Sequence, residues 1–105
     1  MSEHAADVKK YASDVDEDAV AGIVKHLGIA LRNRDSSLVS ASDPDELARV
    51  RESWLKKKLA LTHSDADLDA AISSVADAMK GDNSKSRVTF YYLLAKHYGK
   101  LGELA

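Results

Sequence analysis

The chain has 105 residues, a net charge of −2 and no cysteine. That length suits one domain with its own core. The missing cysteine excludes disulfide frameworks, thiolate nucleophiles and Cys-ligated metal sites, and the near-balanced charge argues against a strongly basic nucleic-acid binder.

The opening residues from Met1 to Ala5 are polar and acidic, which is not the pattern of a secretory signal. No apolar stretch has the length of a membrane span. The expectation is therefore a cytoplasmic protein with no membrane partner. Charge is uneven along the chain: residues 1–48 carry −5 and residues 49–105 carry +3. Such a split can steer a partner, or be scatter on solvated helix faces.

Five helices are predicted. The first covers about residues 2–12, with Ser2 as cap and Ala5, Val8 and Ala12 on one face. The second starts after Asp14 or Asp16, with Asp16, Glu17 and Asp18 at its positive end. Val20, Ile23, Val24, Leu27 and Leu31 form its apolar stripe, and Gly28 is a possible end. Residues 33–42 read as a loop pinned by Leu38 and Val39. Asp43-Pro44-Asp45-Glu46 is a strong helix start: an N-cap, a proline at the first helical position and a glutamate at capping-box spacing. That third helix points Leu47, Val50, Trp54 and Leu55 inward and ends in Lys56, Lys57 and Lys58.

Ser64 opens the fourth helix, whose inward stripe is Leu68, Ala71, Ile72, Val75 and Met79, with Gly81 as its stop. Ser84 is the predicted cap of the fifth. From Val88 to Ala95 that helix is apolar nearly all round, which marks it as central and buried. Its β-branched and aromatic start also suits a strand, but no convincing partner strand is visible. The fold class expected is all-α: one compact bundle of about five helices over residues 1–105, the last of them central.

Familiar chemical motifs fail. Asp65, Asp67 and Asp69 imitate the opening of a calcium loop, but Ala70 and Ala76 stand where glycine and glutamate are required. His4, His26, His63 and His97 fall in no metal-ligand spacing. There is no nucleophile elbow and no phosphate-binding glycine loop. No catalytic residue, cofactor or metal is assigned, and an enzyme is the less favoured reading.

Two sites remain as candidates. Asn83, Ser84, Lys85, Ser86 and Arg87 place cations at a predicted helix start, which opposes the helix dipole unless an anion is near. They form a candidate anion site, or else Lys85 and Arg87 pair with acidic residues of the first half. Phe90, Tyr91, Tyr92 and Tyr98 form a candidate interface with a protein partner or a second copy, or else belong to the core. A third possibility is weak nucleic-acid binding through Arg49, Arg51, Lys56, Lys57 and Lys58. It is opposed by Asp65, Asp67 and Asp69 close by in sequence.

Several segments also look familiar together: DVKKYAS from Asp7, DEDAVAGIVKHLGIALRNRDSSLV from Asp16, VRESWLKKKLALT from Val50 and KSRVTFYYLLAKHYGKL from Lys85. They resemble a family of small bacterial proteins classed as a domain of unknown function, family 2853. The resemblance runs over nearly the whole chain. It implies a compact helical fold in a bacterial cytoplasm and carries no catalytic or binding residues over. The favoured reading is a small non-catalytic helical binding or interaction module. The alternative is a small-ligand or phosphate-binding protein, or an enzyme, with its anion site at the start of the last helix.

Overall fold

The computed structural model describes residues 3–12, 15–28, 38–40, 43–81 and 85–103. The elements follow in order: α1 (Glu3–Val8), α2 (Glu17–Leu27), β1 (Leu38–Val39) and α3 (Pro44–Arg49). A π-helical segment (Val50–Lys58), α4 (Asp65–Ala78), β2 (Lys85–Ser86), α5 (Arg87–His97) and a 3₁₀ turn (Leu101–Glu103) complete them. Among the described residues the domain is thus all-α but for one two-residue antiparallel ladder, in which Leu38 pairs with Ser86 and Val39 with Lys85. Periodicity does not announce strands this short. The radius of gyration, 12.5 Å, suits one compact domain of this length.

Local chemistry sets the helix ends. The Asp16 carboxylate caps α2 by accepting from the Ala19 N–H at 3.1 Å. Gly28 ends that helix at φ +44°, in the left-handed region that glycine enters at little cost. Asp43 caps α3 by accepting from Asp45 N–H at 3.0 Å, and Ser64 caps α4 by accepting from Asp67 N–H at 3.3 Å. The expected capping box does not close. Asp43 N–H donates instead to the Ser40 carbonyl, and the Glu46 carboxylate turns to Arg87 and Arg49. The predicted caps Ser2 and Ser84 lie outside the described residues, and α5 starts three residues later than Ser84.

The third predicted helix changes its winding midway. From Val50 the backbone widens to a π-helix, shown by the Leu59 N–H donating to the Trp54 carbonyl five residues back. The sequence supplies the reason. Val50, Trp54, Leu55 and Leu59 are all buried. In an α-helix, with 3.6 residues per turn, Leu59 would lie about 180° round from Val50. At the roughly 4.4 residues per turn of a π-helix it returns to within about 20° of Val50. The wider turn buries all four side chains and leaves Lys57 and Lys58 exposed.

The segment ends on Ala60 at φ 54°, a left-handed conformation that costs an alanine roughly 1 kcal/mol. Leu61 N–H then donates back to the Leu55 carbonyl at 3.0 Å, so Ala60 sits where a helix C-terminus normally places glycine. Ala60→Gly should therefore stabilise the protein by about 0.5–1 kcal/mol. Urea denaturation checks this; a loss of stability would show that the strain is not there.

α5 is the centre. It packs against α1, α2, α4, the π segment, both strands and the 3₁₀ turn. Seven of its residues are buried, Val88 to Tyr92 together with Leu94 and Ala95, so beyond Arg87 water reaches only its last turns, at Leu93, Lys96 and His97. Polar groups fix the elements around it. The Thr89 hydroxyl donates to the Asp7 carboxylate of α1. The Tyr92 hydroxyl accepts from Asp16 N–H at 2.8 Å, at the start of α2. The Trp54 indole N–H donates to the Tyr91 carbonyl at 3.2 Å, and the two rings stack with centroids 4.5 Å apart.

Candidate functional site: an open groove between two helices

α4 buries Leu68, Ala71, Ile72 and Val75 against the core. Beside that stripe runs a second one, Asp69, Ser73, Ala76, Asp77 and Lys80, also at helical spacing. Across from it, Pro44, Leu47, Ala48 and Arg51 recur at three- and four-residue intervals. The two stripes line an open groove of about 740 Å³, to which the ladder contributes Val39, Ser40 and Lys85. Its floor is largely apolar: Val39, Leu47, Ala48, Ile72 and Ala76. Its rim carries both signs of charge: Arg51 and Lys80, Asp69 and Asp77.

Ion pairs between the π segment and α4 fix one side of the groove. Arg51 donates to both Asp69 carboxylate oxygens, at 3.0 and 3.1 Å, and to Glu52 at 2.8 Å. Lys56 reaches Glu52 at 2.9 Å and Asp65 at 2.6 Å. Lys56 holds the Asp65 carboxyl below its ordinary range by hydrogen bonding, and Arg51 and then Lys56 do the same for Glu52. Most of these side chains meet water, so the network acts more on geometry than on stability. It also occupies two of the five cations of the candidate nucleic-acid surface. Arg49, on Glu46, is a third.

A second polar centre holds the groove's end wall. Arg87, at the start of α5, donates to Glu46 of α3, to the Leu38 carbonyl of β1 at 3.1 Å and to the Tyr91 hydroxyl at 3.1 Å. The Arg87 and Glu46 side chains are each only 12% exposed. Burial opposes the charge on Arg87, but Tyr91 and Glu46 together more than offset it and hold the guanidinium pKa above its usual value. This is the carboxylate pairing that the sequence offers as the alternative to an anion site.

Of the candidate anion site, three residues are described. Arg87 is turned inward onto Glu46. Lys85 and Ser86 form β2, with Lys85 on the groove. Asn83 and Ser84 lie outside the described residues. The candidate interface is corrected for three of its four residues: Phe90, Tyr91 and Tyr92 are at most 4% exposed and belong to the core. On α5 beyond Arg87, only Leu93, Lys96 and His97 reach toward water, and none of the three buried aromatics lies among them. Of the four candidates only Tyr98 reaches the surface, half-buried between the rings of His63 at 5.1 Å and His97 at 4.9 Å. Burial and the Asp67 charge push its phenol pKa up. The groove itself was missed. Its signal was present in the second stripe of α4 and in Leu47 and Ala48, but helical spacing alone does not say which stripe is left uncovered.

Fold and groove together define a small helical domain with an open, mixed-charge cleft. The model of the family described as "Protein of unknown function (DUF2853)" matches residues 3–102, so the chain belongs to that family. Among curated proteins, none matches the chain. Among the described residues, no helix is long and apolar enough to cross a membrane.

Proposed function

We propose that this chain is a non-catalytic helical binding module that works through the groove between α3 and α4, holding a short amphipathic segment of a partner protein. The observation that carries the reading is the groove itself: about 740 Å³, apolar along its floor and charged along its rim. Helix-in-groove recognition has this character, with apolar anchors giving affinity and rim charges setting register. No histidine is among the lining residues, so Ser40 and Ser73 have no imidazole beside them to activate a nucleophile. We take the bacterial cytoplasm as the compartment; the resemblance to small bacterial proteins and the absence of cysteine support this.

Selection of a displayed peptide library against the protein tests the reading. The expected peptides carry apolar residues three or four apart and lose about tenfold or more in affinity toward Ala76→Arg, which fills the half-buried floor with a charged side chain. Melting curves confirm that the variant is folded. Failure to enrich any peptide, or equal binding to wild type and A76R, overturns it.

A further inference from the structure

We propose that Arg87 is a positioning residue for the groove: a buried guanidinium that sets how tightly the groove holds its partner without touching that partner. The proposal rests on the reading of the groove as a peptide-binding site. Neither Arg87 nor the acceptors Glu46, Leu38 and Tyr91 are among the lining residues. Two of those acceptors nevertheless stand next to the lining in the chain. Glu46 directly precedes Leu47 and Ala48, on the α3 wall, and Leu38 directly precedes Val39 and Ser40, on the end wall. Arg87 itself follows Lys85 and Ser86, the strand β2. One planar fork therefore ties α3, β1 and the junction of β2 with α5.

The end wall needs that tie. The ladder behind it consists of Leu38 with Ser86 and Val39 with Lys85, too short a pairing to stand alone in water. The α4 wall is fastened separately, by Asp69 to Arg51, and both of those side chains line the groove. The Arg87 fastening lies behind the lining instead. Its ion pair with Glu46 is largely buried, the Leu38 carbonyl accepts at 3.1 Å, and the Tyr91 hydroxyl meets the fork from the α5 side at 3.1 Å. Water competes little with charge-assisted hydrogen bonds in such a place, so the fork holds one geometry.

The consequence is for binding. A preformed groove meets its partner without first ordering its own walls, and that ordering otherwise lowers affinity. Loosening the fork changes no lining residue, yet it lets the ladder shift against α3. The pair of substitutions Arg87→Met and Glu46→Leu leaves no stranded charge, but it cannot restore the tie to Leu38. Arg87→Lys keeps the charge and restores the tie in part.

The tightest peptide enriched on the wild-type protein, synthesised with a fluorescent label, provides the test by anisotropy. It is titrated with wild type, Ala76→Arg, Arg87→Lys and the double variant, each first checked by a melting curve. The expected result is binding about tenfold weaker in the double variant, with Arg87→Lys in between. Amide exchange in the free protein should quicken at Val39 and Lys85 and stay unchanged at Ile72 and Ala76 of α4. Arg87→Lys alone carries the test if the double variant does not fold. Wild-type affinity in the Arg87 variants, with Ala76→Arg impaired, overturns the positioning role and leaves the groove reading standing. So does weaker binding with unchanged exchange at Val39 and Lys85, because the end wall has then not moved. Failure of the wild type to enrich any peptide, by contrast, removes the groove reading and this role with it.

Discussion

Trp54→Ala should cost about 3–5 kcal/mol in urea denaturation, the range for removing a fully buried large aromatic side chain. Three losses combine at this position. The substitution empties the volume between the π segment and α5, removes the stack on Tyr91 and leaves the Tyr91 carbonyl without the indole N–H. Trp54→Phe separates them: it keeps most of the packing and loses the hydrogen bond, so a loss of about 1–2 kcal/mol is expected. The His26 ring loses its platform only in the alanine variant, and its lowered pKa should rise toward the ordinary histidine value. A loss below about 1 kcal/mol for Trp54→Ala would mean that Trp54 is not the centre of the core.

Arg87→Ala should cost about 3 kcal/mol, because it leaves the largely buried Glu46 carboxylate with only the exposed Arg49 and takes the guanidinium from the Leu38 carbonyl. Arg87→Lys should recover only part of this. A lysine keeps the charge but cannot span Glu46, Leu38 and Tyr91 with one planar fork. Replacing both partners, Arg87→Met with Glu46→Leu, should be less destabilising than Arg87→Ala alone, since no charge is then stranded. Amide exchange at Val39 should quicken in Arg87→Ala, as the ladder loses its anchor. Thermal melts showing a loss under about 1 kcal/mol, or a double variant worse than the single, would sink this account.

These two residues also show what sequence reasoning reaches. Trp54 was placed in the core because it sits four residues beyond Val50. Arg87 was picked out as a cation at a predicted helix start, which helix electrostatics disfavours without a partner. Helix electrostatics calls for a negative charge there and composition points to the acidic first half of the chain, but neither singles out Glu46. Glu46 is 41 positions away, and its local spacing to Asp43 pointed to a capping box instead. Local rules bind neighbours; they cannot see a competitor that only the tertiary fold brings near.

The π segment failed in the opposite way. Its signal was fully local. Apolar residues at 50, 54, 55 and 59 repeat at about four and a half residues, and Lys57 and Lys58 fill positions an α-helix would have turned toward the side of Val50 and Trp54. A search limited to the helical period of 3.6 and the strand period of 2 finds Val50, Trp54 and Leu55 but passes over Leu59. The five helix positions and the caps at Asp16, Asp43 and Ser64 were legible because each depends on a few adjacent residues. The two-residue ladder was not, because such short strands have no periodicity to read.

The central burial of α5 has a consequence for how the chain becomes a protein during synthesis. Its anchors lie far upstream: Asp7 is 82 residues from Thr89, Asp16 is 76 from Tyr92, and Glu46 is 41 from Arg87. The elements made first have no common core until the segment after Ser86 emerges. α4 has α3 and the π segment to pack on, but the faces of α1, α2 and α4 that meet α5 stay open until it emerges, and these distant contacts close late. A stalled nascent chain ending before Arg87 should therefore be protease-sensitive and a natural client for chaperones, whereas one that has released α5 should close in a single cooperative step.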